Sequence, residues 1–218
     1  MSTLRYRFKG GGAGGTAFTC DMQCVRCEGV TRRGTQCSKR VCIGTPLCWQ
    51  HLLASRGVRI RPSTVPGAGK GLFAMARPRP RPRRRGGHAQ NDRGAASILF
   101  RPGDVIAEYD GEVVAKAELD RRYGDHTAPY GIHVRGEVYE DGACRRGTAA
   151  MANHATGTGV NARFSYRYAA RNAGAPVRSV LRATRPIRDG EEILVNYGDD
   201  YEFERDVTSA TYRGRRRL

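Results

Sequence analysis

Gly190-Glu191-Glu192-Ile193-Leu194-Val195-Asn196-Tyr197-Gly198 carries the strongest fold signal in this chain. Glu192 to Asn196 reads as a short β-strand, and a tyrosine stands just past its end. Earlier in the chain is Asn153-His154-Ala155. Further upstream come Ile106-Ala107-Glu108-Tyr109-Asp110-Gly111-Glu112 and Pro66-Gly67-Ala68-Gly69-Lys70-Gly71-Leu72-Phe73. The glycines of the latter let the main chain take positive φ and lie close to a ligand. It is not a dinucleotide fingerprint, because the spacing is GxGxG after a proline and no helix follows. It is not a P-loop either, because Gly71 rather than Ser or Thr follows Lys70.

Around these segments the pattern is strand-rich. Residues 58 to 76 carry Val58, Ile60, Val65, Leu72 and Phe73. Val105 to Tyr109, Tyr130 to Val134 and Val177 to Thr184 read as further short strands bounded by turn residues. Ala115 to Tyr123 predicts a short helix.

In this order the four motifs resemble those of the SET-domain protein lysine methyltransferases. The resemblance covers roughly residues 60 to 205. It implies a mostly β fold of small curved sheets, with the C-terminal strand threaded through a loop near Asn153. It also implies S-adenosylmethionine as methyl donor and a lysine side chain as acceptor. By the same resemblance, main-chain groups of Ala68, Gly69, Lys70 and Gly71 lie against the methionine end of the donor. Asn153 hydrogen-bonds the donor's amino acid moiety, backbone groups at His154 read its adenine edge, and Tyr130 contacts it. Tyr109 lines the lysine channel, and Tyr197 is the catalytic tyrosine.

The chain departs from the family pattern in four places. Ala155 stands where the motif has serine. The second asparagine, Asn161, comes later than the common spacing. Asn196 replaces an aspartate. The cysteine-rich segment that commonly follows the core is absent, so Phe203 and its neighbours are expected to close the channel. The compact core resembles SET proteins of large DNA viruses and algae.

Six of the seven cysteines fall between residues 20 and 51, spaced Cys20-x3-Cys24-x2-Cys27-x9-Cys37-x4-Cys42-x5-Cys48-x2-His51. Thiolates and an imidazole at such spacing suit tetrahedral zinc. Cys27, Cys37, Cys48 and His51 are the preferred ligands of a structural zinc ion, with Cys24 and Cys42 as rivals. Free or metal-bound thiols, rather than disulfides, are expected of an intracellular protein.

The organisation read from sequence is a Gly-rich tail that does not fold (1–19), a Cys/His zinc module (20–55), the SET domain (58–205) and a basic tail (206–218). An arginine- and proline-rich insert (77–97) interrupts the SET domain. Formal net charge is +17, and the lysines are Lys9, Lys39, Lys70 and Lys116, so arginine supplies nearly all of it. Such a charge favours acidic partners such as nucleosomes or DNA. No apolar run approaches the ~20 residues needed to span a bilayer. Expected is an intracellular, nuclear enzyme (the host nucleus for a viral protein) that methylates a histone or other lysine-containing protein. The alternative is a SET protein without catalysis, acting as a zinc-dependent chromatin or nucleic-acid adaptor.

Overall fold

The computed structural model describes residues 3–8, 18–42, 45–77, 97–124, 127–167, 178–199, 201 and 211–213. Most of the 77–97 insert, Phe203 and much of the 206–218 tail lie outside them. Short strands in small sheets dominate. β1 (Thr3–Phe8) pairs antiparallel with β2 (Phe18–Gln23), and β17 (Thr211–Arg213) pairs with β1. β3 (Val25–Arg26) pairs with β4 (Arg40–Val41), and α1 (Trp49–Arg56) follows. β5 (Val58–Pro62), β6 (Lys70–Ala74), β12 (Asn153–His154) and β16 (Glu192–Val195) form a sheet in the order β12-β16-β6-β5. β8 (Val105–Glu108), β13 (Ala162–Arg167) and β14 (Arg178–Ala183) form a second, ordered β13-β14-β8. β9 (Glu112–Ala115), β10 (Gly131–Arg135) and β11 (Val138–Asp141) form a third, ordered β10-β11-β9. α2 (Lys116–Tyr123) continues from β9, and β7 (Ile98–Phe100) pairs with β15 (Ile187–Arg188).

The strands expected near residues 105, 130, 177 and 192 are β8, β10, β14 and β16, and the expected helix is α2. Two features differ from the sequence reading. Within the segment read as an unfolded tail, Thr3–Phe8 is a strand. In its sequence Leu4, Tyr6 and Phe8 alternate with polar residues, the period-two signal of a strand. The glycine run of that segment lies outside the described residues. The other difference is α1, which the cysteine spacing did not announce as a helix. It buries Leu52 and Leu53 and ends on Gly57 at φ 68°, whose N–H donates to the Leu53 carbonyl at 3.0 Å. A left-handed glycine of this kind is a common helix stop.

The main core joins the first two sheets. Leu72, Ile106, Leu181, Ile187 and Ile193 are fully buried in it, together with Leu52 from α1. Each such side chain contributes about 1.5–3 kcal/mol by leaving water. Among the described residues, no helix is long and apolar enough to cross a membrane.

β16 is held on two sides, by β6 and by the segment from Asn153 to Asn161. It runs parallel to β12 with Asn153 opposite Leu194 and His154 opposite Val195. At the far end of that segment, Asn161 is 1% exposed. Its Oδ1 accepts from the Leu194 N–H at 2.8 Å, its N–H donates to the Leu194 carbonyl at 3.1 Å, and its Nδ2 donates to the Glu192 carbonyl at 2.7 Å. A single 3-10 turn, Gly157–Gly159, takes up the longer spacing between the two asparagines. Asn161→Ala leaves the half-buried Leu194 N–H and the buried Glu192 carbonyl without these partners. We expect a loss of about 3 kcal/mol in urea unfolding, since each orphaned group costs about 1–3 kcal/mol. A loss below about 1 kcal/mol would mean that β16 is held by its other pairings.

Candidate active site and metal centre

Tyr109 sits just past the end of β8, 3% exposed. Its N–H donates to the Ser179 carbonyl at 3.0 Å, and its carbonyl accepts from the Gly147 N–H at 2.8 Å. Gly147 must be glycine, because a Cβ there would lie 2.1 Å from the Tyr109 carbonyl oxygen. The next residue, Asp110, has φ 54°, a left-handed conformation that aspartate tolerates better than most. Beyond it, the fully buried Glu140 accepts from the Gly111 N–H at 3.0 Å and from the Ser179 N–H at 2.8 Å. The tyrosine is therefore anchored through backbone on both sides. Its hydroxyl donates to the Tyr130 carbonyl at 2.6 Å, and its ring meets Phe164 edge-on at 5.6 Å.

Tyr197 comes from the opposite direction, just past the end of β16. Its hydroxyl donates to the Ala152 carbonyl at 2.9 Å, and its N–H donates to His154 Nδ1 at 3.1 Å. Its ring lies 5.4 Å from that of His154 and 4.7 Å from that of Tyr201. Tyr201 in turn donates to the Pro129 carbonyl at 3.2 Å. The two tyrosines meet in a cavity of about 150 Å³ whose wall includes Tyr130, Ile132, Phe164 and Tyr201. Burial raises the pKa of both phenols above the ordinary tyrosine value, and for Tyr109 the nearby Tyr197 adds to the shift. Both stay protonated at neutral pH. They act as hydroxyl donors and cannot serve as bases.

Tyr130 forms another wall. Its ring lies 3.5 Å from the guanidinium carbon of Arg146, and its carbonyl also accepts from the Gly142 N–H at 2.9 Å. This carbonyl therefore links the β10 side of the cavity to Tyr109.

The glycine turn connects β5 to β6. Gly67 and Gly69 take φ of 77° and 69°, and a Cβ placed on either would meet nothing within 4 Å. The outer side of the turn near Ala68 and the exposed Lys70 is open. Gly71 is the opposite case, since its Cβ would fall 2.0 Å from Glu192 Oε1. The turn is tied to β16 through Glu192, which is 6% exposed. Its carboxylate accepts from the Ser63 hydroxyl at 2.7 Å and from the Thr64 N–H at 2.6 Å, and the Thr64 hydroxyl adds a further bond. Asn153 Nδ2 is also committed inside the protein, lying 3.0 Å from Ser63 Oγ, 3.0 Å from the Lys70 carbonyl and 3.1 Å from Glu192 Oε1. Among the described residues its Oδ1 has no partner.

Burial pushes the Glu192 carboxyl up, but hydrogen bonds from Thr64, Ser63 and Asn153 outweigh it and hold the group below its ordinary value. A lowered folded value means the stabilisation is complete above the unfolded carboxyl value of about 4.3 and fades as pH falls through the folded value. We expect Glu192→Gln to destabilise the protein by about 2 kcal/mol near neutral pH, because an amide cannot accept at both oxygens. Between about pH 5 and pH 3 the variant should lose less stability than the wild type. Parallel loss in chemical denaturation across that range would show that Glu192 does not contribute this way.

The cysteine segment gathers Cys27, Cys37, Cys48 and His51, whose ligand atoms all lie within 4.8 Å of one another. Cys37 Sγ and Cys48 Sγ are 4.0 Å apart, and His51 Nδ1 is 3.3 Å from Cys27 Sγ and 3.4 Å from Cys48 Sγ. Zn–S and Zn–N bonds of about 2.3 and 2.0 Å in a tetrahedron put sulfurs about 3.8 Å apart and sulfur and nitrogen about 3.5 Å apart. The donor set therefore fits zinc. His51 Nε2 lies 3.0 Å from the Val30 carbonyl, the outer hydrogen bond that typically orients a ligating imidazole. The Cys27 sulfur accepts from the N–H groups of Cys48 at 3.1 Å and Gly29 at 3.4 Å. Gly29 has no room for a side chain, since its Cβ would lie 2.2 Å from the His51 ring.

Cys24 and Cys42, read as rival ligands, are instead joined in a disulfide, which corrects the expectation of free or metal-bound thiols. The register explains it. Val25 opposes Val41 in the β3–β4 ladder, so the flanking Cys24 and Cys42 face each other with Cα atoms 4.0 Å apart.

The cavity also contains residues that the motifs did not announce. Phe164 and Ile132 come from β13 and β10, and Ala152 contributes the carbonyl that holds Tyr197. Alternation along Ala162-Arg163-Phe164-Ser165-Tyr166 was the available signal for Phe164.

Residues 95–198 match the family model for the SET domain, and this stretch of the chain is a SET domain. No curated protein matches the sequence. Among solved structures it is similar to "ctPRC2 in an autoinhibited conformation bound to S-adenosylmethionine", at 22% identity and TM-score 0.47, over 71% of this chain and 16% of that one. It is also similar to the polycomb repressive complex 2 of Chaetomium thermophilum, at 23% identity and TM-score 0.48, over 73% of this chain and 17% of that one. A third is an active polycomb repressive complex 2 in the basal state, at 24% identity and TM-score 0.48, over 68% and 16%. The chain thus spans about a sixth of the length of these structures.

Proposed function

We propose that this chain is a protein lysine N-methyltransferase that takes its methyl group from S-adenosylmethionine, with a histone as substrate. The observation that carries the proposal is the cavity itself. Within the SET domain, Tyr109 and Tyr197 meet in a narrow aromatic space while both hydroxyls are held by main-chain carbonyls. A lysine side chain is a long apolar stem with one polar end, and such a channel suits it.

The nucleophile must be a neutral amine, yet a free lysine has a pKa near 10.4. Holding it unprotonated at about pH 8 costs about 3 kcal/mol, and an apolar channel lowers that cost. The two phenols remain protonated, so the proton leaves to water. Tyr109 and Tyr197 orient the amine, and alignment of this kind is worth several kcal/mol. When bound, the donor supplies an electrophilic methyl on a sulfonium.

We assign the donor to the open side of the turn at Ala68, Gly69, Lys70 and Gly71, between Tyr130, Asn153 and His154. Because Asn153 Nδ2 is spent on Ser63, Lys70 and Glu192, its Oδ1 is the atom left to accept from the donor's ammonium group. This narrows the role expected from the motif. We also assign one structural zinc ion to Cys27, Cys37, Cys48 and His51, in a module spanning residues 20–55 that precedes the catalytic domain. Nuclear placement and nucleosome contact fit a histone substrate and the charge of +17.

The test is transfer of labelled methyl from S-adenosylmethionine to core histones and to nucleosomes, with donor affinity measured by calorimetry. Labelling of a histone establishes the reading. Donor binding without histone labelling redirects it to another protein substrate. Absence of donor binding overturns it in favour of a non-catalytic adaptor.

A further inference from the structure

We propose that the exposed face of Trp49, flanked by Lys39 and Arg59 and continued by Arg61, is a docking surface for duplex DNA. Trp49 opens α1 directly beside the buried Cys48, yet it is 45% exposed. Lys39 Nζ and the Arg59 guanidinium carbon each lie 4.5 Å from the centre of its ring. Two cations on one exposed indole leave positive charge concentrated at the surface. Among the described residues neither is paired with a carboxylate, and Lys39 Nζ donates only to the neutral Gln50 Oε1 at 3.0 Å. Arg122 shows the contrast, because this buried guanidinium is bonded to Glu112, Glu118 and Asp141. The fold supplies acids where a cation is structural and leaves them out here. Residues 20–61 hold eight arginines and lysines against the two acids Asp21 and Glu28.

The charge also has a direction. Arg59 and Arg61 alternate with Ile60 on β5, the edge strand of its sheet, so they project from one side about 7 Å apart. Arg61 lies 5.2 Å over the Phe73 ring and pairs across the ladder with Gly71. A row of cations thus runs from the metal centre along an open strand edge to the glycine turn. Cations interleaved with an exposed aromatic ring are the footprint of a nucleic-acid backbone, which offers regularly spaced phosphates and sugar or base faces. An acidic protein would need the cations but not the indole.

Lys39, Trp49, Arg59 and Arg61 do not line the tyrosine cavity, and the inference does not rest on methyl transfer. The experiment is fluorescence-anisotropy binding of a short DNA duplex to the full chain across a salt series. The variants are Lys39→Gln/Arg59→Gln, Lys39→Glu/Arg59→Glu and Trp49→Ala, each checked for unchanged melting temperature. Because Lys39 and Trp49 are exposed and Arg59 is only half-buried, folding should be retained, and the glutamine pair covers the case where charge reversal disturbs it. We expect the double variants to lose about tenfold or more in affinity near 100 mM salt and to lower the salt slope by about 2. Trp49→Ala should weaken binding by about fivefold or more with the slope unchanged. Unchanged affinity and slope in the double variants would overturn the proposal and move any DNA contact to the arginine-rich segments. Displacement of DNA by a polyglutamate peptide at equal charge concentration would also overturn it, in favour of an acidic protein partner.

Discussion

Tyr197→Phe should lower the rate of methyl transfer by roughly 10²–10³-fold while donor affinity stays within about twofold, the size of loss seen when one preorganised hydrogen-bonding group is removed from a reacting centre. The substitution deletes a single oxygen. The ring remains between His154 and Tyr201, 5.4 Å and 4.7 Å from their rings, so the shape of the cavity persists. What disappears is the hydroxyl fixed by the Ala152 carbonyl at 2.9 Å, in a site where burial keeps the phenol protonated. The turn to which the donor is assigned lies on other residues, so binding and chemistry should separate. Single-turnover labelling gives the rate, and calorimetry gives the affinity. A loss of less than about tenfold in rate would take the catalytic role away from Tyr197. Tyr109→Phe is a useful contrast, because its hydroxyl bonds the Tyr130 carbonyl and its loss should disturb a cavity wall as well as the rate.

Cys48→Ala should remove the bound metal altogether and unfold the segment around it. Apparent zinc affinities of small structural sites are about 10–16 kcal/mol, far more than the few buried side chains between Cys27 and Cys48 supply. Cys48 carries three burdens at once. It offers one of the four ligand atoms, its N–H donates to the Cys27 sulfur at 3.1 Å, and α1 begins at the next residue. Loss of α1 withdraws Leu52 from the main core, so the damage should reach the SET domain and lower the melting temperature of the whole chain. Metal analysis should give about one zinc per wild-type chain and none for the variant. Chelation of the wild type should reproduce the thermal loss. Cys24→Ser and Cys42→Ser should keep their zinc, since those two sulfurs are bonded to each other. A full complement of zinc in Cys48→Ala would refute the ligand set.

The parts of the site that were legible in the sequence are those where a residue's neighbours in the chain state its situation. Tyr197 follows a strand and precedes a glycine. Tyr109 precedes Asp-Gly. Cys48 and His51 are three apart, one helical turn, and both reach the same centre. What the sequence withheld depends on register between distant segments. Phe164 faces the cavity only because β13 pairs with β14 in a particular phase. The Cys24–Cys42 bond follows from Val25 lying opposite Val41. Asn153 is the instructive case. Its place in the motif pointed to a ligand, but its amide nitrogen is consumed by Glu192, Ser63 and Lys70, partners that only the folded sheet brings together.

The central position of β16 bears on how the chain is made. This strand lies between β6 and β12 and is gripped by Asn161, so the sheet has a vacant middle until residues 192–195 have been synthesised. The tyrosine cavity is likewise incomplete before Tyr197 emerges. During translation, β5 and β6 can pair locally, but Leu72 and the turn beside it stay uncovered until the late strand arrives. Closure over such sequence separations is slow compared with hairpin formation. A nascent chain therefore spends much of its synthesis with the β6 edge of that sheet unpaired, and the tyrosine cavity is completed as a single late event rather than by accretion.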